Sequence, residues 1–212
     1  MSTTGGPRAI RGRAPSTGQW LEEADGRRWW FDSGSTALDF AYTGPMRGAP
    51  GERLDSDGAL ASWLAARFDA VGEEARDARL ADALVLRDAI ARLAEAAERG
   101  GPGAGEAGDV DVVNLFAAMP DIPPALSGGT RQAGRTNAAA RQALSTIARE
   151  GVELLGGSGA GRLRRCAAED CGMLYLDTSR AGSRRWCSMQ RCGNRAKVRA
   201  HRSRSAARAD GR

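Results

Sequence analysis

The residues with the most defined chemistry in this 212-residue chain are its four cysteines. Cys166 and Cys171 are separated by four residues, as are Cys187 and Cys192, with fifteen residues between the pairs. Two close pairs at such a separation suit a tetrahedral Zn(II) site. Each pair folds a tight knuckle, and the intervening segment is long enough to return the second pair to the first. Four cysteines also allow three disulfide pairings. Nothing at the N-terminus resembles a secretory signal, and a reducing cytosol disfavours that alternative. The expectation is one structural Zn2+ per chain on four thiolates, a closed site with no position left for water.

The elements that would position these ligands can be read around them. Met173 to Leu176 is a short apolar run that suits a strand, Asp177 to Ser183 is turn chemistry, and Arg184-Arg185-Trp186 returns as a second strand. After Cys192, Ala196, Ala200 and Ala207 with cations between them suit a helix that continues past Arg204. Knuckle, hairpin and ligand-bearing helix in that order predict a treble-clef finger.

Charge indicates what such a finger touches. From Arg162 to Arg212 the chain holds fourteen basic and four acidic residues, a balance of +10, while the rest carries −5. No acid lies between Asp177 and Asp210. Four thiolates around Zn2+ leave −2, so Arg184, Arg185, Arg191 and Arg195 have local charge to neutralise, but that cannot absorb +10. On the helix Arg195, Arg199 and Arg202 fall on one stripe, with Lys197, Arg204 and Arg208 on a neighbouring one. Such stripes are the footprint of a phosphate-backbone contact. The nucleic-acid set expected from charge and position is Arg184, Arg185, Arg195, Lys197, Arg199 and Arg202.

Two motifs carry a family resemblance. Cys192-Gly193-Asn194-Arg195, within the run LDTSRAGSRRWCSMQRCGNRAKVRAHRSR, resembles the bacterial CGNR zinc finger. Thr36 to Thr43, TALDFAYT, resembles the LDFVNT motif that opens the ABATE domain, with Ala41 and Tyr42 in place of its Val and Asn. Proteins of this kind are described as stress-induced transcription regulators. The resemblance implies a treble-clef finger with Cys166, Cys171, Cys187 and Cys192 as ligands, a DNA partner, and a small effector for the N-terminal domain. Tyr42 cannot repeat the chemistry of the family Asn.

The rest of the chain predicts a mainly α (α+β) protein. Residues 1–27, rich in Gly, Pro, Ser and Arg and including Arg8, Arg11 and Arg13, read as a disordered arm. Residues 28–157 read as an ABATE-like helical domain with a short β-hairpin, and 158–212 as the finger. Ordered structure is expected to start near Trp29-Trp30-Phe31, with Asp32 to Ser35 turning between two strands. Helices are expected from Ser56 or Asp57 to Gly72, from Glu73 to Arg99, from Val110 to Met119, and from a Thr136 cap to Leu155. Residues 120–135 suit a strand or a loop, and Gly156 to Gly159 a hinge.

Several functions are disfavoured. No apolar run approaches the roughly 18 residues a membrane span needs, so a soluble cytoplasmic protein is expected. The one histidine, His201, lies in the basic helix, and no cysteine lies outside the quartet, so nothing argues for an enzyme. Acidic pairs such as Glu22-Glu23 and Glu73-Glu74 read as solvated charge. The leading expectation is a zinc-dependent DNA-binding transcription regulator whose N-terminal domain senses a ligand or forms a homodimer. The alternatives are a zinc-stabilised adaptor with an acidic protein partner, or an RNA binder for which Tyr175 and Trp186 are the candidate stacking residues.

Overall fold

The computed structural model describes residues 17–23, 25–72, 75, 77–124, 138–157 and 159–210, with side chains as far as Ser205. Strand β1 (Gln19–Glu22) pairs antiparallel with β2 (Arg28–Phe31), Trp20 facing Trp30 and Leu21 facing Trp29. Alternation turns Leu21, Trp29 and Phe31 inward and leaves Trp20 and Trp30 outside. β1 corrects the reading of 1–27 as an arm throughout. Four residues are too few to announce a strand against Gly-rich surroundings, and the apolar partner strand is what orders them. Arg8, Arg11 and Arg13 lie outside the described residues.

A second strand does not follow the Asp32–Ser35 turn; helix α1 (Thr36–Ala41) does. Ser35 is extended and its Oγ accepts from the Leu38 N–H at 3.4 Å. Glu150, far along the chain, accepts from the Ser35 hydroxyl at 2.8 Å and the Thr36 N–H at 2.7 Å. These bonds satisfy donors that a helix start leaves free.

Side-chain acceptors also mark the starts of α2, α3 and α5. Ser56 caps α2 (Asp57–Ala65) through the Ala59 N–H at 3.1 Å. The helix stops well before Gly72, although Phe68 and Val71 are still buried. α3 (Leu80–Gly100) begins later than Glu73, where the Asp57 carboxylate accepts from the Leu80 N–H at 2.7 Å. α4 (Ala107–Ala117) begins slightly earlier than Val110. α5 (Ala140–Gly156) begins where Asp77 accepts from the Ala140 N–H at 3.0 Å. Glu73, Glu74 and the expected cap Thr136 lie outside the described residues, as does most of 120–135. Leu86, Ile90 and Leu93 of α3 and Leu144, Ile147 and Leu154 of α5 are buried, forming apolar stripes against each other, against α4 and against α1.

After a single 3-10 turn (Ala160–Arg162), β3 (Leu163–Arg165) pairs antiparallel with β4 (Leu174–Leu176), and the chain ends in α6 (Asn194–Asp210). The partner of β4 is therefore β3 and not Arg184–Trp186. The Arg184 N–H is taken by the Asp177 carboxylate at 3.0 Å, and the Arg184 carbonyl accepts from the Tyr175 hydroxyl, so that segment is tied by side chains and forms no ladder.

Gly156 to Gly159 does not set the finger apart. Met173, Leu174 and Tyr175 and the four cysteines belong to the same buried cluster as Leu38, Phe40 and Tyr42. The Leu176 N–H donates to the Ser33 carbonyl at 2.8 Å, and the Leu174 N–H to the Tyr42 hydroxyl oxygen at 2.6 Å. Arg165 pairs with Glu98 of α3 at 2.7 Å. Two glycines with positive φ make the approach possible: a Cβ on Gly34 would lie 2.7 Å from the Leu176 carbonyl, and one on Gly48 2.7 Å from the Cys171 carbonyl.

Candidate metal centre and basic face

The first knuckle is the turn between β3 and β4. The Cys166 N–H donates to the Met173 carbonyl at 2.8 Å and the Cys171 N–H to the Ala168 carbonyl at 3.0 Å, which curls both sulfurs to one side. The second knuckle opens at Cys187 and runs into a π-helical turn (Met189–Gly193) that leads directly into α6. Cys192 and Gly193 both donate to the Ser188 carbonyl, at 3.1 and 3.0 Å. A turn wider than an α-turn accommodates the four-residue gap that spacing alone left unusual.

All four cysteines are buried and free, and their sulfurs lie within 4.8 Å of one another. Cys187 Sγ is 3.5 Å from both Cys171 Sγ and Cys192 Sγ. A tetrahedron with Zn–S bonds near 2.3 Å has sulfur–sulfur edges of about 3.8 Å, so the set fits a thiophilic four-coordinate cation. Its electrostatics ask for one. Cys166, hydrogen-bonded by the other three thiols, is held well below the ordinary thiol range, while Cys187, donating among them, is pushed well above it. A divalent cation would stabilise all four as thiolates.

Arginines complete the charge balance. Arg195 Nη2 donates to Cys192 Sγ at 3.3 Å and Arg191 Nη1 to Cys171 Sγ at 3.5 Å. Arg191 also stacks 4.7 Å from the Trp29 ring centroid and pairs with Glu23. The Glu23 carboxyl is held below its usual range, by the Arg27 hydrogen bond first and the Arg191 bond next.

The six cations expected to meet nucleic acid separate into three groups. Arg184 is committed inside the fold. Its guanidinium lies 4.2 Å from the Tyr175 ring centroid and donates to the carbonyls of Trp186 at 3.0 Å, Asp32 at 2.8 Å, and Cys187. Arg195 and Arg199 both pair with Asp170 of the first knuckle, at 3.1 and 2.9 Å. Lys197 and Arg202 are exposed, with no ion pair among the described residues, and Arg185 is exposed beside the Trp186 ring at 5.1 Å. Asn194 opens α6 and its amide donates to the Gln190 carbonyl at 3.3 Å. His201 is exposed. From Lys197 to Ser205 every residue of α6 is exposed, so over this stretch the helix buries no side chain against the rest of the protein.

Three contributors escaped sequence reasoning. Asp170 ties the helix to the knuckle, and an acid beside Cys171 opposite a helix with no acid before Asp210 was the available signal. Tyr42, fully buried against Phe31 with ring centroids 4.9 Å apart, holds β4 by its hydroxyl, and burial pushes that phenol well above its ordinary pKa. Glu23 reaches the second knuckle from β1's loop, and no local pattern marks it.

Among the described residues no helix is long and apolar enough to cross a membrane. A family model for the CGNR zinc finger matches residues 162–205. A model for the ABATE family, described as "Putative stress-induced transcription regulator", matches residues 34–158, more than half of the chain. Both families are of regulatory or zinc-finger type, and no curated protein matches the chain significantly. With its LDF motif on α1 and its Cys-Gly-Asn-Arg run at the start of α6, the chain belongs to the ABATE family and carries a C-terminal CGNR zinc finger.

Proposed function

We propose that this protein is a zinc-stabilised, DNA-binding transcription regulator and not an enzyme. Cys166, Cys171, Cys187 and Cys192 hold one Zn2+ and fill its coordination sphere, leaving no position for a reacting water. The zinc fixes where α6 starts and points. The helix then presents Lys197, Arg199 and Arg202 to the phosphate backbone, with Arg195 and Arg185 at its base. The N-terminal domain supplies the regulatory half, by effector binding or self-association. An apolar cleft of about 170 Å³ between α3, α4 and α5, lined by Leu93, Val113 and Leu155, has room for a small apolar group.

The observation that carries the reading is α6 itself. A helix whose residues 197–205 are all exposed, rich in arginine and without an acid before Asp210, is met by one carboxylate of the fold, Asp170. Its charge is balanced when phosphates lie against it. The test is duplex binding at several salt concentrations, for wild type and for Lys197→Glu/Arg199→Glu/Arg202→Glu. Arg195 is left intact because it touches Cys192. The variant should keep one zinc, lose binding to all sequences and lose most of the salt dependence. Unchanged affinity and slope in a folded, zinc-loaded variant would replace DNA with an acidic protein partner.

A further inference from the structure

The basic helix does not stand alone. Between the β1–β2 hairpin and α6 runs a groove of about 420 Å³. One wall carries Arg27 and Arg28; the other carries Arg195, Arg199 and Arg202; Glu23 is the one carboxylate among its lining residues. The two walls are fixed relative to each other. Arg191, at the end of the second knuckle, pairs with Glu23 and stacks on Trp29, so zinc positions the hairpin wall as well as the helix.

We infer that the β1–β2 hairpin is a second nucleic-acid contact and that one phosphodiester strand of duplex DNA lies in the groove between it and α6. This rests on the proposed DNA-binding function. A concave site lined by cations of one sign focuses its field more strongly than a convex helix does. Its chemistry suits backbone and not bases. The guanidiniums offer forked donors to phosphate oxygens. Trp29, the aromatic side chain at the groove, is buried with Arg191 across its ring, so no bare face is left there for a base to stack upon. Glu23 and Asp25 together balance Arg27 and Arg191, and Asp170 is shared by Arg195 and Arg199, but Arg28 and Arg202 have no ion pair among the described residues and stand on opposite walls. The footprint is therefore shared between the CGNR segment and the hairpin that precedes the ABATE match.

The test is Arg28→Gln in the full zinc-loaded chain, measured on the same duplexes against salt. Arg79→Gln, at the N-terminus of α3 and outside the groove, controls for the loss of net charge. One phosphate contact removed should lower the salt slope by about one unit and weaken all sequences alike, by about 5-fold near 0.15 M salt. The control should match wild type. If the hairpin variant binds with wild-type affinity and slope while the α6 charge reversal abolishes binding, the inference is wrong and the proposed function stands. Wild-type protein that ignores duplex DNA, or prefers single-stranded RNA or an acidic polypeptide, overturns both.

Discussion

The two halves of this molecule are held together by different means. Between α3, α4 and α5 the core is a continuous set of aliphatic side chains, Leu86, Ile90, Val113, Leu144 and Ile147 among them, and α1, α3 and α5 start on carboxylates from elsewhere in the same half. The finger has two three-residue strands, one exposed helix, and four sulfurs where a core would be. About fifty residues cannot bury enough apolar surface to fold alone. The finger meets that shortfall twice, with its cysteine cluster and by laying β4 against Ser33, Gly34 and Tyr42. The second half thus combines a cysteine cluster with a docking face where the first has a continuous aliphatic core.

Breaking the metal half of that arrangement should have the largest effect. Structural zinc in small fingers contributes on the order of 10–16 kcal/mol of apparent folding free energy at pH 7. Chelation should therefore unfold residues 163–193, and hydrogen exchange should show protection lost next in 33–42, where the docking face is uncovered. The α3–α5 core should keep its protection. Loss confined to the finger, with 33–42 unaffected, would mean that the docking contributes nothing.

The helical half holds a charge problem of its own. Burial pushes the Asp39 carboxyl up to about 6, even though the Ser33 hydroxyl and the Gly18 N–H favour its anion. The folded state then binds this proton more tightly than the unfolded chain, whose carboxyl titrates near 3.9. Its contribution to stability is fullest below about pH 4, falls as pH rises to about 6, and is level above that, a change of about 3 kcal/mol. Denaturant titrations of Asp39→Asn across this range should lack the fall that wild type shows. Parallel pH profiles would contradict the assignment.

The docking face is sharpened by Tyr42→Phe. Removing one oxygen leaves the Leu174 N–H buried without an acceptor, which costs about 1–3 kcal/mol. The zinc-loaded variant should unfold at lower denaturant with an unchanged slope. No change in midpoint would show that water replaces the hydroxyl.

Asp170→Asn should have the smallest effect on stability. Its pairs with Arg195 and Arg199 are largely exposed, and such pairs contribute about 0.2–1 kcal/mol. Freed of a carboxylate, both arginines should bind phosphate better, so duplex affinity should rise severalfold while zinc content stays the same. Weaker binding would assign Asp170 to orienting α6.

The sequence by itself determined the features set by local chemistry. Cysteine spacing marked the four-sulfur cluster, the absence of acids between Asp177 and Asp210 marked α6 as the basic element, and apolar periodicity marked α2, α3, α4 and α5. What only the tertiary structure decided depends on residues far apart in the chain. Helix starts at Leu80 and Ala140 are set by Asp57 and Asp77, and α1 is helical because Ser35 and Glu150 satisfy its first donors. β4 pairs with β3 because side chains already hold the Arg184 backbone. Arg184, a phosphate-contact candidate by position, becomes a strut once three carbonyls and Tyr175 converge on it. Tyr42 passes from a departure in a motif to the residue that holds the finger in place. Hydrogen-bond partners are assigned by proximity in space, and linear spacing carries that information only within a turn or two.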